Sequence, residues 1–214
     1  MPSDSIPLLS HSISTQVYTR LKREILEGGL SPGERLIVTD IAGRFQISQA
    51  PVREALERLK QEGLIIGKAN KGSVVSNITR DEINDIYILR EILEGFAVRR
   101  TMPKLDDSNF QYLEEVVSRM KEAIETEDLM GTVEIDLEFH GFFYKQCGNH
   151  AILEAWERMS TKVMRFMAIS NQRHSSDKLV EAHNALIDSL RNGDIDAAES
   201  LFLEHIKHAH AGLL

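Results

Sequence analysis

The chain is poor in the residues that build disulfide scaffolds, turn-rich sandwiches and membrane spans. Its one cysteine, Cys147, excludes an internal disulfide and any multi-cysteine metal site. Thirteen glycines and five prolines are few for 214 residues, which favours helices over a sandwich of many short strands. No apolar run approaches the roughly 18 residues that a spanning helix requires. The start, MPSDSIPLLSHS, has neither the basic residues nor the long apolar stretch of a signal peptide, so a cytoplasmic location is expected. No nucleophile motif, phosphate-cradling glycine loop or pair of catalytic carboxylates is found. What remains, 42% hydrophobic and 27% charged residues, is a globular balance that excludes a disordered or collagen-like chain.

The net charge of -8, taken whole, speaks against nucleic acid, but it is unevenly spread. Residues 1–77 hold ten Lys/Arg against eight Asp/Glu, a net +2, and residues 78–214 hold 15 against 25, a net -10. Seven of the eight histidines also lie in the second part. A mildly basic head on an acidic, histidine-rich body suggests two domains, 10–77 and 78–214, with different partners.

In the head, Val17, Leu21, Ile25 and Leu26 have helical spacing that Gly28 and Gly29 end. A short strand, Arg35–Val38, leads to Thr39 and Asp40 as N-cap residues of a two-turn helix holding Ile41, Ala42 and Phe45. Ile47–Ala50 is a tight turn, and Pro51 suits the first turn of a helix that buries Val52, Ala55, Leu56 and Leu59 and exposes Arg53, Glu57, Arg58 and Lys60. Leu64–Ile66 and Ser73–Val75 flank Gly67–Gly72 as a hairpin. This order is the plan of a winged helix-turn-helix. From Thr79, whose spacing to Glu82 reads as a capping box, six helices follow near 80–101, 107–126, 128–147, 150–171, 177–191 and 195–211. Pro103, Gly148-Asn149, Ser175-Ser176 and Gly193-Asp194 separate most of them, and the short loops predict an antiparallel bundle. The expected fold is therefore mainly α, a winged helix-turn-helix followed by an all-helical bundle.

A helix-turn-helix places its second helix in the major groove, with base contacts near the helix start. That start holds Ser48, Gln49, Ala50 and Arg53. Gln49 suits a bidentate contact with adenine, Arg53 a phosphate or guanine, and Ser48 a phosphate. Lys68, Lys71 and Gly72 lie at the wing tip, where charge and close backbone approach suit the sugar-phosphate chain. The pattern alone also allows a three-helix domain that binds protein. The residues Pro32–Leu36, Ile41-Ala42, Ile47-Ser48, Ala50–Leu56, Leu59 and Glu62–Leu64 closely resemble the GntR family of bacterial transcription regulators across residues 14–77. The resemblance implies double-stranded DNA as partner, with Arg35 among the contacts. Gln49 stands where the family usually has arginine, and Thr39 where a basic or charged residue is common. Both departures remove positive charge, so a less guanine-centred operator and weak non-specific binding are expected.

In the body, Asp136 and His140 stand at i and i+4 on one helix face, a good start for a divalent metal site. His183 and His205 sit beside apolar residues. Taken singly, each histidine reads more readily as an ordinary structural or surface one. The order Arg90, Glu94, Asp136-x-x-x-His140, Gly148-Asn149, His183, Gly193-Asp194 and His205 resembles the FCD ligand-binding domain of the FadR subfamily over about residues 80–210. That resemblance implies a metal held by Asp136, His140, His183 and His205, a donor set suited to Zn, Ni, Mn or Fe. It also implies an effector-facing arginine, Arg90, with Glu94 beside it. A guanidinium fork suits a small organic or sugar acid, while the i,i+4 spacing equally suits a plain helix-surface ion pair. The aromatic and methionine run (Phe139, Phe142, Phe143, Trp156, Met159, Met164, Phe166, Met167) reads mostly as core, and Cys147 as structural.

The expected protein is a homodimeric, metabolite-responsive regulator, more often a repressor in this family, on a near-palindromic operator and without membrane association. Two rivals remain. One is a metal-dependent hydrolase with Glu138 or Glu181 as general base. The other is a bundle that serves only as an interaction platform.

Overall fold

The computed structural model describes residues 12–68, 72–77, 79–170 and 177–213, without the side chains of 167–170, 177, 212 and 213. The chain divides into two compact units, residues 1–77 and 78–214.

In the first unit, α1 (Ile13–Leu26) starts where the Ser12 hydroxyl accepts the Thr15 amide, a cap worth about 1 kcal/mol. Strand β1 (Arg35–Leu36) precedes α2 (Val38–Phe45) and α3 (Gln49–Gln61), and strands β2 (Ile65–Lys68) and β3 (Gly72–Val75) form the wing. The three strands pair antiparallel in the order β1-β3-β2, with Arg35 opposite Val74 and Ile66 opposite Val74 on the other side. The first strand is shorter than expected. The extended Ile37 caps α2 with no side-chain bond, its carbonyl accepting the Asp40 and Ile41 amides, so Thr39 and Asp40 lie inside the first turn. Acidic Asp40 there faces the positive end of the helix dipole. Between α2 and α3 the chain turns through Gln46, a non-glycine residue in the left-handed region (φ 55°).

Val17, Leu21 and Ile25 of α1 and Val52, Ala55, Leu56 and Leu59 of α3, two helices in contact, are buried, as are Leu36, Ile65, Val74 and Val75 of the sheet. Burying each such side chain contributes about 1.5–3 kcal/mol. Arg58 is not the solvated residue expected: its guanidinium lies 3.9 Å from the Tyr18 ring centroid and donates to Thr15 Oγ1. It thereby ties α3 to α1.

The second unit is all helical among its described residues: α4 (Arg80–Thr101), a short 3-10 turn at Met102–Lys104, α5 (Asp107–Glu125), α6 (Leu129–Gln146), α7 (His150–Ser170), α8 (Asp177–Arg191) and α9 (Ile195–Leu213). Thr79 caps α4 through the Glu82 amide, but the Glu82 carboxylate pairs with Lys162 of α7. Glu127 (φ 55°) and the Asp128 side chain, which accepts the Gly131 amide, make the sharp break between α5 and α6. The core joins Leu113, Val116 and Val117 of α5 to Phe139, Phe142 and Phe143 of α6, Trp156, Met159 and Val163 of α7, Leu186, Ile187 and Leu190 of α8, and Phe202 and Ile206 of α9. Met164 and Phe166 are half-buried against it, and Met167 and the Ser175-Ser176 break lie outside the described residues. Cys147 is buried and its thiol donates to the Tyr144 carbonyl.

Two glycines set close helix approaches. A Cβ on Gly95 of α4 would stand 3.1 Å from Glu199 and 3.3 Å from Leu203, both on α9. One on Gly141 of α6 would stand 2.9 Å from Trp156 Nε1 on α7. These contacts draw α9 and α7 toward the residues described next.

Candidate metal centre and nucleic-acid interface

Helix α6 places Asp136 and His140 on its inner face, α8 adds His183 and α9 adds His205. One ligand atom from each of these four residues lies within 4.8 Å of every other. Asp136, His140 and His183 are buried, and His205 is half-buried. The three imidazoles form a compact fan, with ring centroids 5.5 Å apart for His140–His183, 5.2 Å for His140–His205 and 4.7 Å for His183–His205.

Each of two imidazoles is anchored by its far nitrogen. His183 Nδ1 is 2.8 Å from the Leu179 carbonyl, which can only accept, so Nδ1 carries the proton. His140 Nδ1 meets Glu94 Oε1. Both Nε2 atoms then face Asp136: His183 Nε2 is 3.2 Å and His140 Nε2 is 3.9 Å from Asp136 Oδ1. The His183 contact lacks hydrogen-bond alignment, which leaves Nε2 a buried nitrogen without a hydrogen-bond partner. A bare imidazole nitrogen and a carboxylate oxygen so close in a buried site repel unless a proton or a metal ion lies between them. The donor set therefore fits a divalent metal, an oxygen and three nitrogens suiting Zn, Ni, Mn or Fe.

The acidities agree with this arrangement. Burial alone would raise Asp136, but the close approach of His183 and the nearness of His140 and Arg90 hold it well below the ordinary carboxylate range. Burial, with His140 and His183 beside it, pushes His205 down to about 3, so its ring is neutral near pH 7. Neutral imidazole and ionised carboxylate are the forms that bind metal.

Arg90 and Glu94, on α4, are almost wholly enclosed. Arg90 Nε donates to Glu94 Oε2 at 3.1 Å, and both side chains are at most 2% exposed. The i,i+4 pair exists, but inside the bundle rather than on its surface. Glu94 Oε2 also accepts from Tyr144 at 3.2 Å. Burial works against the charge on Glu94, yet His140 and Arg90 bring it down to about 2. Arg90 is raised above its ordinary value, since Glu94 outweighs its burial. Its guanidinium stands 5.6 Å from the Tyr87 ring centroid and 5.5 Å from that of Trp156.

Three features escaped the sequence reading. Tyr87 is buried one turn before Arg90, its hydroxyl without a hydrogen-bond partner, and burial pushes its pKa up to about 12. His210, in the last turn of α9, stacks on Tyr87 at 4.8 Å with Nε2 buried and lacking a hydrogen-bond partner. Arg165 of α7 is buried, and that burial lowers its pKa. Only its position beside Val163 and Met164 hinted that it points inward. Glu138, one rival's general base, stands apart, accepting from Arg119 at 2.5 Å and from Tyr112 at 2.8 Å. Glu181 is exposed.

In the first unit, Ser48, Gln49, Ala50 and Arg53 are all exposed at the start of α3. Arg53 Nη2 donates to Gln49 Oε1 at 2.7 Å. Arg35 is exposed on β1, and Lys68 and Gly72 are exposed at the facing ends of β2 and β3, with Gly72 at φ +68°. Lys71 lies outside the described residues.

A winged helix-turn-helix joined to a helical bundle with a buried ligand cluster defines a two-domain transcription regulator. Residues 13–75 match the model of bacterial regulatory proteins of the gntR family, and residues 85–208 match that of the FCD domain. The chain belongs to the GntR family and carries an FCD domain; its relatives are transcription regulators and not enzymes, which removes the hydrolase reading. It is 28% identical over 96% of its length, and 91% of the relative's, to the probable D-xylose utilization operon transcriptional repressor of Paenarthrobacter nicotinovorans. It is 26% identical to the HTH-type transcriptional repressor RspR of Escherichia coli (strain K12), over 91% of this chain and 86% of that one. A solved putative GntR regulator from Rhodococcus sp. RHA1 has the same fold, with TM-score 0.78 at 24% identity over 95% of this chain and 98% of that one. No helix among the described residues is long and apolar enough to cross a membrane.

Proposed function

We propose that this regulator is a cytoplasmic, homodimeric repressor whose hold on a near-palindromic operator is set by a small organic or sugar acid bound beside a divalent metal. The observation that carries this reading is His183 Nε2, bare and buried 3.2 Å from Asp136 Oδ1 while Leu179 holds its other nitrogen. Asp136, His140, His183 and His205 would hold the ion. When bound, it would supply an electrophilic centre able to take a carboxylate oxygen.

The chain's own groups do the rest. Arg90, between the rings of Tyr87 and Trp156, offers a fixed positive charge to an anion. The unpartnered Tyr87 hydroxyl adds a donor from the same helix. An acid taken up there pulls on α4, the first helix after the head, which is the simplest route for a coupling free energy to reach the DNA-binding unit. At the head, Ser48, Gln49, Ala50 and Arg53 meet base edges and phosphates, while Arg35, Lys68, Lys71 and Gly72 meet the backbone.

Self-association is supported by the outer face of α4. Ile88, Leu89, Ile92 and Phe96 form a stripe at helical spacing and are 50%, 43%, 66% and 42% exposed. An apolar stripe of this kind on a bundle helix is a protein-contact surface. A two-fold dimer then presents two heads to two half-sites.

The test is a selection of DNA fragments with the purified full chain, followed by operator release on a panel of small carboxylic acids. The expected result is a near-palindromic site and an acid that weakens binding by about 5–150-fold. A selected site whose affinity no acid changes favours the interaction platform.

A further inference from the structure

We infer that Glu94 is a positioning residue for His140, holding the proton on Nδ1 so that Nε2 is presented to the ligand cluster as a bare donor. The inference rests on the metal reading above and gives Glu94 a task other than contact with an effector. Both carboxylate oxygens are already engaged by the chain itself: Oε1 by His140 Nδ1, Oε2 by Arg90 Nε at 3.1 Å and by the Tyr144 hydroxyl at 3.2 Å. The side chain is fully enclosed and neither oxygen is left without a partner from the chain. An ionised carboxylate has no proton to give, so every neighbour must donate to it. His140 therefore has one orientation and one tautomer that satisfy the interior.

The arrangement also explains why this position needs a carboxylate rather than an amide. Glutamine offers one oxygen and one NH2 group. The buried Arg90 guanidinium is the costlier neighbour to leave without an acceptor, since breaking a buried ion pair costs far more than losing a neutral bond. The amide oxygen would turn toward Arg90 and Tyr144, and its NH2 toward His140 Nδ1. His140 would answer by shedding the Nδ1 proton and carrying one on Nε2, the atom 3.9 Å from Asp136 Oδ1. A protonated Nε2 cannot ligate. Partners of this kind, which orient a ligating imidazole through its second nitrogen, typically change metal affinity 10–100-fold when mutated.

The experiment uses the full chain and has two readouts. The first is the nitrogen-15 shift pair of His140 in chelator-stripped protein, which reports the tautomer with no metal present. The second is Zn2+ affinity, measured by competition with a chelator. Native protein should show Nδ1–H, Glu94→Gln should show Nε2–H, and its Zn2+ affinity should fall about 10–100-fold. Tyr144→Phe, which removes a donor from the other oxygen only, should keep the native tautomer and lie within about threefold in Zn2+ affinity. Nε2–H in the native protein overturns the assignment even if Glu94→Gln fails to fold. So does a Glu94→Gln protein that keeps Nδ1–H and native affinity. A native chain that shows Nδ1–H, loses it in Glu94→Gln, yet binds no Zn2+ supports the positioning role and refutes the metal reading.

Discussion

Arg53 Nη2 donates to Gln49 Oε1 at 2.7 Å, so the two side chains expected to read bases separately are joined on the exposed start of α3. The bond takes one of the two lone pairs of the Gln49 oxygen and leaves its NH2 unengaged, so the joined pair offers bases donors more readily than acceptors. A donor alone matches the O6 and N7 acceptors of guanine or the O4 of thymine, whereas adenine needs a donor and an acceptor together. The native protein should therefore select an acceptor base at that step. Arg53→Ala frees the Gln49 oxygen and should shift the preference toward adenine by about 1–3 kcal/mol in a binding-site selection. It should also reduce the salt slope of binding by about one phosphate contact. An unchanged base preference in Arg53→Ala would show that the pair does not govern readout.

The stripe on α4 predicts a clean separation of folding from assembly. Ile92 is 66% exposed, so Ile92→Glu costs the single chain little. If α4 is the self-association face, burying that carboxylate at the interface is expensive. Sedimentation should show a monomer with native helical content, and operator affinity should fall by about tenfold or more because one head binds alone. A dimer of native affinity would move the interface elsewhere.

The Glu138 carboxylate joins α6 to α5 through Arg119 and Tyr112, a structural task rather than a catalytic one. Burial alone would raise its pKa, but the bonds from Arg119 and Tyr112 hold it below the ordinary value of 4.5. A depressed folded value means that the stabilisation is complete above pH 4.5 and is lost as pH falls through the folded value. The group is half-buried and still in touch with water, which screens the pair, so the gain is about 0.5 kcal/mol. Glu138→Gln should lower stability by that amount at pH 7 in urea titrations and by less at pH 3. An equal loss at both pH values would mean that packing, not charge, sets its contribution.

Much of the fold was legible because glycine, proline and capping residues punctuate the chain. The helices of the second unit end within a few residues of Pro103, Gly148 and Gly193, and Thr79 caps as its type suggests, whereas the break that Asp128 caps is only weakly marked in the sequence. The four candidate ligands were legible only through family resemblance, since each histidine alone reads more readily as an ordinary structural or surface residue. Helix α4 was the hardest to interpret because its polarity is inverted. Tyr87, Arg90 and Glu94 face inward, while Ile88, Ile92 and Phe96 face out. Spacing shows that Arg90 and Glu94 share a face, but only the packed neighbours His140, Tyr144 and Trp156 decide whether that face is wet. The Tyr87–His210 stack joins residues 123 positions apart and leaves no local pattern.

The most direct test of the central claim is the divalent metal content of protein purified without a histidine tag, compared with that of Asp136→Ala. The account predicts one ion per native chain, none in the variant, and a melting temperature that falls on chelation only for the native protein, as linkage requires. A native chain that carries no metal, and whose melting Asp136→Ala leaves unchanged, would contradict it.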